Sequence, residues 1–134
     1  MKTLIVYSLL MGPWIFAYAS RTAGELRASC RTNIAILNGA AIDRADDSMA
    51  IGICTGFIEG WWEGATSVLV RIPSPTQNPF RLAIEKGVSV AQICKVFVKY
   101  MDKHPEKEHE TAGLVLMDAL VDAKLARYTE VPSK

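Results

Sequence analysis

The stretch from Gly87 to Leu120 constrains the fold most, because it holds a helix start, a buried face and a helix stop in one run. Ser89 with Gln92 has capping-box spacing: the hydroxyl accepts from the amide three residues on, and the Gln side chain reaches back. Val90, Ile93, Cys94, Phe97, Val98 and Met101 then recur at three- and four-residue steps, the mark of one buried helical face. His104-Pro105 ends that helix, since proline lacks the N–H and disfavours helical angles at the residue before it. The same proline suits the first position of a following helix. That last helix is expected from Pro105 to about Tyr128, with Ala112, Val115, Leu116, Ala119, Leu120 and Ala123 inward and Asp118, Asp122 and Lys124 in water.

Upstream, Thr22 to about Arg31 reads as a short helix, with Leu26 and Cys30 four apart. Asn33 to Asp47 reads as a loop with at most a helical turn: Ile34, Ile36 and Leu37 are apolar, but Asn38-Gly39 and Asp43 to Asp47 break the pattern. A second long helix starts at Asp47 or Ser48, either of which can cap it, and runs to about Val70. Its apolar face is Ile51, Cys54, Phe57, Ile58, Trp61, Ala65, Val68 and Leu69. Gly52, Gly56, Gly60 and Gly64 recur at steps of four, and each costs an exposed helix interior about 1 kcal/mol relative to alanine. Close approach of another backbone is the physical reason for such a stripe. Glu59 and Glu63 in its centre rule out a membrane span, leaving packing within a bundle or across a homodimer. Pro73, Pro75 and Pro79 mark a surface loop. With no strand pattern, the expected fold is all-α: a small disulfide-stapled bundle of three main helices plus a short N-terminal one.

Residues 1–19 have the three parts of a secretion signal: Lys2, an apolar core from Leu4 to Phe16, and Ala17-Tyr18-Ala19 as a cleavage pattern. Removing them predicts a secreted chain of one domain, residues 20–134. Loss of Lys2 leaves 14 basic residues of the 15 against 14 acidic ones, a formally neutral chain. Neutrality argues against nucleic acid or an anionic membrane surface as partner, since both select a basic stripe. Cys30, Cys54 and Cys94 then sit in an oxidising compartment, and an odd count leaves one thiol free or used between chains. Cys30 and Cys54 flank a polar loop that a disulfide usefully ties down, whereas Cys94 lies on an apolar helix face. The expectation is a Cys30–Cys54 bridge with Cys94 a free buried thiol.

Catalytic chemistry finds little support. His104 and His109 are five apart beside Glu106, Glu108 and Glu110, whereas metal-binding helices place their ligands four apart. Neither a metal nor any other cofactor is expected. A catalytic thiol needs an exposed, electropositive setting, which the predicted burial of Cys94 denies. No G-x-S-x-G, P-loop or dinucleotide fingerprint occurs. Glu59 and Glu63, four apart around Trp61-Trp62, read as a solvated helix edge. Trp62 falls off the main apolar face, and an exposed tryptophan beside two carboxylates is a candidate protein-binding anchor.

An ordered set of residues carries a family resemblance: Cys30, Cys54-Thr55-Gly56-Phe57-Ile58-Glu59-Gly60, Gly87-Val88-Ser89 with Gln92, Tyr100, His104-Pro105, His109, Ala112 and Ala119-Leu120. In this the chain resembles the Tai-type (type VI amidase immunity), Rap-like family of periplasmic immunity proteins. The resemblance implies a small helical, often dimeric protein without catalysis of its own. Such a protein binds and blocks a peptidoglycan amidase effector delivered by type VI secretion. The family commonly has two further cysteines; here their positions fall near Ala83 and near Leu125 to Arg127, without cysteine. Their joint loss leaves Cys30 and Cys54 as the surviving pair, with Cys94 an addition. Candidate partner-binding residues are Glu59, Trp62 and Glu63 on one helix edge and His104, Glu106, Glu108 and His109 in the turn, with the Pro73–Pro79 loop as a third surface. A homodimeric adaptor joined through the glycine stripe is the alternative.

Overall fold

The computed structural model describes residues 21–67, 69–70 and 80–131. Residues 1–19, read from the sequence as a secretion signal, and 73–79, read as a loop, lie outside them. Four helices, α1 (Ala23–Leu37), α2 (Ala45–Ser67), α3 (Val90–Lys103) and α4 (Ala112–Asp122), share the chain with strands β1 (Leu69–Val70), β2 (Phe80–Ile84) and β3 (Ala126–Glu130). The strands form an antiparallel sheet in the order β1-β2-β3, with Leu82 opposite Tyr128 and Leu69 opposite Arg81.

The all-α expectation is therefore corrected to a mostly helical fold with a small sheet. The last helix is shorter than expected: Pro105–Lys107 is a single 3₁₀ turn, and α4 occupies only Ala112–Asp122. A Schellman turn stops α4, the Leu125 N–H donating to Leu120 O and the Lys124 N–H to Val121 O. The chain then leaves as β3, where Ala126 is buried and Arg127 exposed. The N-terminal helix is longer than expected and runs through the residues read as loop up to Leu37. Its start is a reciprocal capping box: the Glu25 N–H donates to Thr22 Oγ1 (3.3 Å), and the Thr22 N–H to Glu25 Oε2 (3.0 Å). At Ser89 the hydroxyl half of the expected box forms, accepting from the Gln92 N–H at 3.2 Å. Asp47 does not cap α2 from outside; its carboxylate lies in the first turn and accepts from the Asp43 and Arg44 N–H groups.

The core lies where α1 crosses the other three helices. Leu26 and Cys30 of α1, Cys54 and Ile58 of α2, Ile93, Phe97 and Met101 of α3, and Val115, Leu116 and Leu120 of α4 are fully buried together. Leu82 and Ala126 close this core from the sheet. Cys30 and Cys54 are bridged as expected, tying α1 to α2, and Cys94 is a free buried thiol. Closing a loop of 24 residues contributes roughly 3 kcal/mol in the chain-entropy account.

Candidate functional site

Steps of three and four along α2 bring residues 59, 62 and 63 to one side of the helix. Glu59, Trp62 and Glu63 accordingly line a shallow recess of about 230 Å³. Both glutamates are exposed and neither carboxylate has an ion pair among the described residues. Trp62 is half-buried against the core rather than fully exposed, so its ring is held in place while part of it faces the recess. Gly52, Gly56, Gly60 and Gly64 share this outer side of α2. A Cβ at any of the four would meet nothing within 4 Å among the described residues, so the stripe serves no packing between the described helices. That half of the glycine expectation is removed; the surface it leaves is flat and exposed.

The turn after α3 is built differently, with most of its polar groups already engaged. His104 caps α3, its N–H donating to Tyr100 O, and its ring lies 4.3 Å from the Tyr100 ring. His104 Nδ1 meets Glu106 Oε1 at 3.0 Å. The Glu106 carboxyl is held below its usual range, first by its own backbone amide and then by His104. Lys107 reaches Asp118 of α4 at 3.0 Å, a hydrogen bond that raises its ammonium pKa. Glu108 accepts from Arg27 at 3.2 Å, and its backbone carbonyl takes the Gly24 N–H at 2.9 Å. The Ala23 N–H donates to Glu110 O, so the free amides that open α1 are satisfied by this turn. Arg27 and Arg31 also converge on Asp102 at the end of α3. Glu108 is thus a clamp between α1 and the turn, whereas Glu106 and His109 remain exposed. No described recess is lined by residues of both candidate surfaces.

Sequence reading missed an apolar groove of about 290 Å³ between α2, α4 and the sheet, lined by Trp61, Ala65, Leu82, Leu114 and Tyr128 among others. Gly113 permits it: a Cβ there would lie 3.0 Å from Trp61 Cδ1 and 3.1 Å from Nε1. Tyr128 closes one side by donating to Met117 Sδ at 2.6 Å. The signal was present, since Phe80, Leu82 and Ile84 alternate with Arg81 and Ala83, and Ala126 and Tyr128 alternate with Arg127 and Thr129. Each run is too short to outvote its helical surroundings.

A family model for Rap1a immunity proteins matches residues 22–123. The chain belongs to the Rap1a immunity protein family. The matched span runs from the N-cap of α1 to the C-cap of α4, so it takes in every described helix and both bridged cysteines. No curated protein and no solved structure matches the chain. As a Rap1a immunity protein it works against a secreted effector through binding, in a family that is typically non-catalytic. The resemblance read from sequence holds on its Rap side; the match does not carry the Tai-type designation.

Proposed function

We propose that this Rap1a protein acts in the periplasm, after loss of residues 1–19, by binding a type VI peptidoglycan amidase effector of the Tai-associated kind and occluding its active site. The observation that carries the reading is the family match over the whole helical body. The buried disulfide accords with an oxidising compartment. Of the candidate surfaces, the Glu59–Trp62–Glu63 edge suits effector docking best. Its carboxylates have no ion pair among the described residues, so their charge is free for a partner's cation. An aromatic anchor set between them supplies buried area at low entropy cost. Against an amidase with a Cys–His site, such a carboxylate pairs with the imidazolium and shields the thiolate from substrate. The turn holding His104, Glu106, Glu108 and His109 is the weaker surface, because Glu108 is committed to Arg27.

The test is capture of effectors encoded next to the gene by residues 20–134, read by inhibition of peptidoglycan cleavage. A tight inhibitory complex, weakened tenfold or more by Glu59→Lys with Glu63→Lys, supports the reading. Failure to bind any neighbouring effector sinks it. A second reading, a homodimeric adaptor, is favoured by the open glycine stripe, which finds no neighbour among the described residues. Under it, Gly60→Leu halves the molar mass in light scattering; an unchanged mass eliminates the stripe as an interface.

A further inference from the structure

We propose that Cys54 is a shared sulfur, able to bridge to Cys94 as well as to Cys30, which makes the core a thiol–disulfide exchange site. Cys94 Sγ lies 3.2 Å from Cys54 Sγ, the sulfur already bonded to Cys30. All three sulfurs fall within 4.8 Å of one another, and all three side chains are fully buried. The only buried polar side chain among the described residues, Asn33, turns its amide toward this cluster, with Nδ2 3.8 Å from Cys54 Sγ and 3.7 Å from Cys94 Sγ. Asn33 therefore donates weakly to both sulfurs of the prospective bond. Burial also answers the question posed by an odd cysteine count. Cys94 is closed to a second chain, and the disulfide it can reach is the one beside it.

The exchange balances without any outside oxidant or reductant. In a local opening that admits solvent base, Cys94 gives up its proton, and the thiolate attacks Cys54 Sγ. The Cys54–Cys94 bond forms as the Cys30–Cys54 bond breaks, and the leaving electron pair stays on Cys30, which takes up a proton. The sulfurs form a bent array, so the attack needs rotation of the Cys94 side chain toward the line of the bridge. Burial pushes the Cys94 thiol up, which keeps the thiolate scarce and the exchange slow. The product staples α2 to α3 in place of α1 to α2. It leaves α1 held by packing, by Arg27 with Asp102, and by its docked first turn.

Trypsin separates the three cysteines, because Arg27 and Arg31 bracket Cys30, Arg44 and Arg71 bracket Cys54, and Lys86 and Lys95 bracket Cys94. The folded wild-type chain is held without reductant in mildly alkaline buffer, its free thiols are blocked in acid, and its linked peptides are mapped. A Cys54–Cys94 peptide that grows in with blocked Cys30, in clear excess over Cys30–Cys94, supports the proposal. Cys94→Ser then shows Cys30–Cys54 alone. A Cys30–Cys54 peptide as the sole linkage until guanidinium is added overturns it. So do all three pairings in similar yield, since that pattern reports global unfolding. The wild-type sample decides the matter even where a variant folds poorly.

Discussion

Lys124 sits in the left-handed region at φ 59°, at the position following the α4 C-cap where glycine is the usual residue. The equivalent position after α1 is held by Gly39 at φ 97°, with the same bonding: the Ala40 N–H donates to Ala35 O and the Gly39 N–H to Ile36 O. A side chain in that region costs roughly 1 kcal/mol, so the two turns are the same device with and without strain. Lys124→Gly is expected to stabilise by about 0.5–1 kcal/mol and Gly39→Ala to destabilise by about 1 kcal/mol, read by thermal denaturation. Shifts in the same direction for both variants would refute the argument. Cap chemistry of this kind was legible in part: Asn38-Gly39 was recognised as a break. The Thr22–Glu25 box was overlooked, and at its other end α1 runs past the expected Arg31 to Leu37.

At the scale of elements, α1 is positioned by two close approaches that differ from everything on the outer face of α2. A Cβ at Gly24 would lie 2.7 Å from Glu108 Cγ and 3.2 Å from its carbonyl oxygen, so any larger residue there forces the Glu108 side chain and the turn to shift. Gly24→Ala is expected to cost about 1–3 kcal/mol by overpacking. Gly60→Ala meets open space and is expected to add up to about 1 kcal/mol through helix propensity. Urea midpoints of the two variants decide the contrast; a loss of stability in Gly60→Ala would show that the stripe has a packing neighbour, as a second copy would be. The stripe itself was plain in the sequence. That it is open, and that Gly24 is the crowded glycine, depends on which residues the turn at 108–110 brings beside α1.

For the molecule as a whole, the ionisable groups with raised pKa values point one way in pH. Burial raises the Tyr100 and Tyr128 hydroxyls and the Cys94 thiol, and the hydrogen bond to Asp118 raises Lys107. A folded pKa above the unfolded one gives stability that is present below the unfolded value and lost as pH rises through the folded one. The unfolded values lie near 8.5 for cysteine and near 10 for tyrosine and lysine. The midpoint of thermal unfolding is therefore expected to fall from about pH 8.5 upward, most steeply above about pH 10. A flat profile across that window contradicts the assigned environments. Asp118→Asn is expected to shallow the upper part of the decline by releasing Lys107.

The sequence by itself determined the local events. These are the α3 start at Ser89, its buried face through Met101, the stop at His104-Pro105, the bridged cysteines and the burial of Cys94. Each depends on residues within one or two turns, or on a loop that a disulfide closes. Glu59, Trp62 and Glu63 were likewise legible as one edge, because helical spacing alone gathers them. Only the tertiary structure decided the sheet, since five-residue strands such as Phe80–Ile84 and Ala126–Glu130 are stable only when paired across a long separation. It also decided that Glu108 is a clamp and not a free carboxylate, and that Cys94 lies against the Cys30–Cys54 bridge. Those facts come from α1 packing at once on α2, α3 and the turn, and no local pattern records that meeting.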